Sequence, residues 1–273
     1  MSVIEINKEM CNQCGICVAE CPLHLITSQV EGIPQQREGT DAVCLRCGHC
    51  VVVCPVGALD HRDVPLRESL KVQDSLRVTP EGCAQLLKSR RSIRVFKNEP
   101  VSREVITRLI ENARYAPTGH NSQELEWLVI DSRKELNRIE ELGTDWIRWV
   151  IKNQPQTAEM FNMNLMLKQQ EKHHNEFLRH APVLIITQTT KEKQMAVIDS
   201  ATALGYLDLA ANTMGLGTCW AGFVYIMANT FPPVKTALSL TEAHTTTGCM
   251  MLGYNKFKYQ RIPVRREPRI VWR

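Results

Sequence analysis

The stretches CNQCGICVAECP (residues 11–22) and CLRCGHCVVVCP (residues 44–55) are two copies of one pattern. They share four cysteines, a glycine, a valine and a closing proline. Each row reads Cys-x2-Cys-x2-Cys-x3-Cys-Pro, as Cys11, Cys14, Cys17, Cys21-Pro22 and Cys44, Cys47, Cys50, Cys54-Pro55. Three thiolates on one tight turn can hold three corner irons of a cubane. The fourth corner needs a thiolate from elsewhere, and the last Cys of the other row supplies it. One [4Fe-4S] cluster is therefore expected on Cys11, Cys14, Cys17 and Cys54, and a second on Cys44, Cys47, Cys50 and Cys21. A disulfide framework fits poorly, because nothing in the sequence suggests secretion. Zinc needs four ligands per site but has no use for this doubled spacing.

Residues 1–60 resemble bacterial-type ferredoxins with two [4Fe-4S] clusters. The resemblance implies a small pseudo-symmetric (βαβ)2 fold whose chemistry is one-electron transfer. The other cysteines, Cys83, Cys219 and Cys249, are scattered and read as small apolar residues.

At 273 residues the chain has room for two domains, and 44% hydrophobic residues suffice for a substantial core. The formal charge of +4 is unevenly distributed. Residues 1–64 carry 4 Lys and Arg against 8 Asp and Glu, so an acidic front precedes a basic body. Two domains with attracting surfaces are expected. The modest, dispersed excess of positive charge argues against nucleic-acid binding. No apolar run approaches the length of a membrane span, and the first residues lack the form of a secretory signal. A cytoplasmic protein with no membrane partner is expected.

HRDVPLRESLKVQDS (61–75) reads as a linker or strap. Thr79-Pro80-Glu81 is a helix start, with Thr as N-cap and Pro at the first helical position. Ser102 opens a second helix with an apolar stripe of Val105, Ile106, Leu109, Ile110 and Ala113. WLVIDS (127–132), VLIITQT (183–189) and TTGCMMLGY (246–254) read as buried strands, Asp199–Met214 as a helix, and the tail RIVWR as a late strand that could pair with a partner chain. Between Gly143 and Phe177, the aromatic and Met residues read as a helical pair on the core; a lid over a pocket is the functional alternative. His173 and His174 fall on different faces of a helix and do not suit a shared metal ion.

KSRRSIRVF (88–96) concentrates guanidinium forks and serine hydroxyls that match phosphate oxygens, and RIPVRR (261–266) adds a second basic cluster. Charge alone equally describes two solvated patches. APTGHNSQ (116–123) is a small polar loop. GLGTCWAGF (215–223) exposes backbone N–H groups but lacks the third glycine of a dinucleotide loop.

Taken in order, RRSIRVF, APTGHNSQ, HAPVLII, GLGTCWAGF and LGY with trailing arginines resemble the FMN-dependent nitroreductase family over residues 80–273. The resemblance implies an α+β fold and a homodimer with FMN in two interface sites. It puts Arg90, Arg91, Ser92 and Arg94 on the FMN phosphate and ribityl end, joined by Arg265 and Arg266 from the group Arg261, Arg265 and Arg266. Pro117, Thr118, Gly119 and Asn121 would reach the flavin of the other subunit. Ala221 and Gly222 would offer N–H groups near flavin N5, with Cys219 close by as packing. NSQELEW (121–127) departs from the family's usual NSQPW. His120 is a candidate proton donor, since histidine titrates near neutrality; a surface or packing histidine is the plainer reading.

The expected organisation is a ferredoxin domain at 1–62, a linker at 63–79 and an FMN domain at 80–273. The expected function is an oxidoreductase passing electrons through two clusters to FMN and on to a nitroaromatic, quinone or enone. The donor would be a low-potential partner such as ferredoxin, or NAD(P)H. Two alternatives share the scaffold: an electron-pooling module without an acceptor of its own, and a reductive dehalogenase.

Overall fold

The computed structural model describes residues 2–28, 32–173, 177–190 and 194–273. His174, within the 143–177 stretch, lies outside the described residues. The chain divides into two compact units, Met1–Arg77 with His120–Ser122, and Val78–Gly119 with Gln123–Arg273.

The first unit runs β1 (Ile4–Ile6), α1 (Ile16–Glu20), β2 (Ile26–Ser28), β3 (Pro34–Gln36), α2 (Thr40–Val43), α3 (His49–Val52) and β4 (Leu59–His61). β1 pairs antiparallel with β4, and β2 with β3, so the outer and the inner strands each form a ribbon. This is the (βαβ)2 arrangement with one extra helical turn. The second cysteine row lies 33 positions after the first, and the backbone repeats at that spacing. Gln13 and Arg46, Gly15 and Gly48, and His24 and Gly57 all have positive φ. Gly15 and Gly48, at φ 71° and 72°, open α1 and α3 from the left-handed region that suits glycine. The small core holds Val3, Ile4, Ile26, Val51 and Leu59, with Cys17, Cys21, Cys50 and Cys54 packed on it.

The second unit runs α4 (Pro80–Ser89), α5 (Arg103–Ala113), β5 (Glu126–Ile130), α6 (Arg133–Asn153), α7 (Pro155–Met160), α8 (Met163–His173), β6 (Val183–Thr190), α9 (Ala196–Thr213), β7 (Leu216–Trp220), α10 (Gly222–Thr230), α11 (Pro232–Ala237) and β8 (His244–Tyr254). Thr79 and Ser102 cap α4 and α5, each accepting a first-turn N–H. The four strands form one antiparallel sheet in the order β5-β6-β8-β7.

Helices cover both faces of this sheet, which is why its central strands read as unbroken apolar runs. Leu184, Ile186, Cys249 and Met251 join a core with Trp146, Ile147, Met163 and Val224. Val183, Ile185, Met250 and Leu252, one residue out of phase, join another with Leu109, Leu204 and Leu207. Fold class is thus α+β in both units.

One expectation changes. Residues 143–173 form the end of α6 and two further helices rather than a helical pair; Trp146 and Met163 are buried, and Met160 is exposed. GLGTCWAGF runs as a strand into the start of a helix. Within the single chain, residues 258–273 have no regular structure, and Val271 and Trp272 are exposed. A strand needs a ladder partner, and the one expected for RIVWR is a second chain. No described helix is long and apolar enough to cross a membrane.

Candidate functional sites: two thiol cavities and a basic cleft

Each cysteine row bends around a cavity that the other row completes. Cys11, Cys14, Cys17 and Cys54 line one, walled by Ile6, Pro34 and Leu59. Cys44, Cys47, Cys50 and Cys21 line the other, walled by Ile4, Ile26 and His61. Burial pushes the Cys50 thiol up to about 11, with Cys47, Cys21 and Cys44 adding to the effect. Burial, then Cys14, raises Cys17 in the same way, with Cys54 contributing. Neutral thiols are favoured there until a cation compensates their charge; iron does so and deprotonates its ligands outright. Leu25 N–H donates to Cys21 Sγ at 3.3 Å and Ala58 N–H to Cys54 Sγ at 3.2 Å, a matching bond in each cavity. Among the described residues no three His, Cys, Asp or Glu gather around a single ion. Four thiols spaced around an apolar-walled hollow fit a cubane cluster.

In the second unit, residues 93–97 lie along the sheet. Ile93 N–H donates to Thr218 O, Lys97 N–H to Tyr254 O, and Phe96 bridges Asn255. Gly217 permits this approach, because a Cβ there would lie 1.9 Å from Asn255 Oδ1 and 2.2 Å from Ile93 Cγ1. Ile93 and Phe96 are buried, which leaves Arg94 exposed between them.

Arg94 lines a cleft of about 340 Å³ with Arg179, Cys219, Ala221, Gly222 and Phe223. Arg94 and Arg179 also line the adjoining groove of about 1100 Å³, which holds Lys97, Arg133 and Lys256. An apolar wall beneath two guanidiniums suits a flat aromatic ligand with anionic charge. Burial raises the Cys219 thiol, opposed by Arg94 and then Arg179, so Cys219 is packing rather than a thiolate.

The other sequence candidates are more scattered. Arg90 Nη1 pairs with Asp208 Oδ2 at 3.4 Å, and Asp208 accepts from Thr218 Oγ1. Arg91 turns back on α4, donating to the carbonyls of Arg90 and Lys88 as a helix-end cation does. Ser92 is half-buried. Arg265 and Arg266 are exposed in the tail. Ala221 N–H donates to Cys249 O at 2.9 Å, so the outward amides belong to the start of α10, from Gly222 on. Pro117, Thr118, Gly119 and Asn121 line no part of the cleft. Thr118 Oγ1 accepts from Gln123 N–H, Gly119 N–H donates to Asp199, and the Asn121 amide donates to the carbonyls of Leu45 and Arg46 within the first unit. His120 is exposed at φ 54°.

Sequence reading missed Arg179, which no motif marks. Arg179 and His180 follow one another at φ 53° and 58°. The buried Glu140 carboxylate holds the approach to them, accepting from the N–H groups of Phe177 and Leu178 and from Gln170 Nε2.

A sheet of this topology beside a flavin-sized cleft, joined to two cluster cavities, defines an iron–sulfur flavoprotein oxidoreductase. Residues 10–59 match the 4Fe-4S dicluster domain, and residues 87–254 match the nitroreductase family. The chain belongs to the nitroreductase family; it is an FMN-dependent oxidoreductase that also carries a [4Fe-4S] dicluster domain. It is 25% identical over 179 residues to an Archaeoglobus fulgidus protein named "Putative NADH dehydrogenase/NAD(P)H nitroreductase", covering 64% of this chain and 87% of that one. It is 29% identical over 140 residues to the FMN reductase [NAD(P)H] of Bacillus subtilis, covering 50% of this chain and 53% of that one. The FMN-bound nitroreductase of Bacteroides fragilis shares the fold, with a TM-score of 0.57 at 21% identity over 70% of this chain and 98% of that one.

Proposed function

We propose that electrons enter at the dicluster unit, pass to FMN in the larger unit, and reduce a small electrophile such as a nitroaromatic, quinone or enone. The observation that carries this reading is the pair of four-thiol cavities on a chain with a nitroreductase fold. Clusters deliver single electrons; a flavin collects two and releases them together, and the protein's share is to hold and tune the centres. The cluster ligands are the quartets Cys11, Cys14, Cys17, Cys54 and Cys44, Cys47, Cys50, Cys21. FMN binds a homodimer, with Arg90, Ser92, Arg94 and Gly222 of one copy and the 117–121 loop of the other. Arg179 joins Arg94 on the anionic end. The ferredoxin domain spans 1–62 and the strap 63–79. The protein works in the cytoplasm.

The donor is a reduced ferredoxin or a similar low-potential carrier. NAD(P)H is the second reading, favoured by the name of the Bacillus subtilis relative, FMN reductase [NAD(P)H]. Anaerobic stopped-flow mixing with reduced ferredoxin is expected to bleach the cluster absorption before the flavin band. Flavin reduction ahead of the clusters would sink the path, and reduction without turnover on any small oxidant would favour an electron-pooling module.

Arg94→Gln and Arg179→Gln are each expected to weaken FMN binding ~10–100-fold, the loss of one charge-assisted hydrogen bond of about 1.5–3 kcal/mol. Arg91→Gln should stay within about twofold, because its guanidinium is spent on helix carbonyls. Fluorescence titration of the apoprotein with FMN reads all three.

A further inference from the structure

The two cluster cavities are near-twins in backbone but not in the side chains that reach their sulfurs. His61 ends β4, is 2% exposed, and lines the cavity of Cys44, Cys47, Cys50 and Cys21. Its Nδ1 accepts the N–H of Asp63 at 3.0 Å. A ring nitrogen that accepts carries no proton, so the proton of the neutral imidazole sits on Nε2. That Nε2 lies 3.6 Å from Cys44 Sγ. Cys44 Sγ also accepts from Arg46 N–H at 3.5 Å.

The twin site differs. The 33-residue repeat puts Ser28 where His61 stands and Cys11 where Cys44 stands. Ser28 is exposed at the end of β2. Among the described residues, no side chain donates to Cys11 Sγ. The amide bonds to Cys21 and Cys54 match between the sites and cancel.

We propose that His61, through its Nε2–H bond to Cys44, raises the reduction potential of the cluster on Cys44, Cys47, Cys50 and Cys21 above that of its twin. On reduction, one electron enters the cluster and the proton stays on the ring. The added negative charge spreads onto the sulfurs, where a donor N–H counts for more as the acceptor becomes more anionic. His61 is buried and Cys44 half-buried, which keeps water from doing the same work. Hydrogen bonds to sulfur are among the levers that set cluster potentials. The electron therefore rests on the His61 cluster when the pair holds only one. This inference rests on the ligand quartets proposed above and not on the route to FMN.

The test is an EPR-monitored redox titration of anaerobically prepared full-length protein, as wild type, His61→Leu and His61→Gln. The wild type is expected to hold about eight irons and show two potentials. In His61→Leu the higher potential falls and the lower stays. At the wild-type midpoint, the reduced-to-oxidised ratio of that cluster drops about tenfold, ~59 mV for a one-electron couple. His61→Gln keeps an N–H donor and recovers part of the shift. Unmoved potentials at full iron content, or equal shifts of both, overturn the proposal and leave the quartets standing. A wild type that assembles fewer than two clusters overturns both.

Should His61→Leu fail to hold iron, the decision passes to a protein with its histidine in place. This is ¹⁵N-histidine-labelled protein, with His24 and His49 changed to Gln, reduced to its first cluster signal. Electron–nuclear double resonance is expected to show an imidazole ¹⁵N coupling on that signal. A spectrum without it overturns the proposal.

Discussion

Cys54→Ala is expected to lower iron from about eight to about four atoms per chain, although Cys54 lies in the second row and the cluster it removes sits on the first. The cavities make the claim specific: Cys54 lines the hollow of Cys11, Cys14 and Cys17, and Cys21 that of Cys44, Cys47 and Cys50. Combination tells cross-row from within-row ligation. The pair Cys11→Ala and Cys54→Ala should lose no more iron than either alone, since both strip one cluster. The pair Cys11→Ala and Cys21→Ala should lose nearly all of it. Additivity in the first pair, with none in the second, would return each cluster to its own row. Iron and sulfide analysis with EPR spin counting reads both. Turnover driven through the clusters should fall at least ~100-fold in any variant that loses one, because an electron then has no intermediate stop.

The second large effect concerns Gly217→Ala. A methyl group there meets Asn255 Oδ1 at 1.9 Å and Ile93 Cγ1 at 2.2 Å, and Ile93 is bonded to Thr218 through its backbone. The Asn255 amide can swing aside, but Ile93 Cβ lies 2.9 Å away on a residue pinned through its backbone, so the 90–96 segment must lift. Overpacking of this kind costs about 1–3 kcal/mol, which for a unit of this size lowers Tm by about 2–12 °C. FMN affinity should fall with it, since Arg94 rides on the lifted segment. Gly205→Ala is the control: it lies within α9, where an added Cβ meets nothing within 4 Å. That change should leave Tm the same or raise it slightly, as Ala favours helix over Gly by about 1 kcal/mol. Equal melting of both variants would mean that the segment does not depend on Gly217. Thermal unfolding followed by circular dichroism supplies the comparison.

These two glycines show where sequence reading stops. A motif states what a residue type is good for, and for Gly217 it offers only exposed backbone N–H groups. What it does depends on Ile93 and Asn255, which are distant in sequence. The cysteine rows are different: their spacing is a local geometric statement, and the hollow each row builds follows from three thiols on one turn. The sheet strands were legible for a similar reason, since an apolar run bounded by polar residues has few other fates. Arg179 was not legible. Its direction is set by two left-handed residues and by Glu140, a carboxylate contributed from α6. Nor was His61, whose meaning appears only when the repeat is laid over itself and Ser28 is found opposite. Arg90, Arg91 and Arg94 were equal members of one basic run. The fold gives them different tasks, since only a local partner such as Asp208 or a helix carbonyl decides where a guanidinium points.

The outer ribbon of the first unit has a consequence for how the chain is made. β1 leaves the ribosome before β4, which closes on it some fifty residues later. With the ligand quartets proposed above, neither repeat half is complete alone: each supplies three thiols to its own hollow and lends the fourth away. A nascent chain that ends before Cys50 can finish neither cluster, and one that ends before Cys54 can finish only the second. Cluster loading and chain closure are thus bound into a single late event, and half of this unit, expressed by itself, would need a second copy to hold any iron–sulfur cubane with four thiolates.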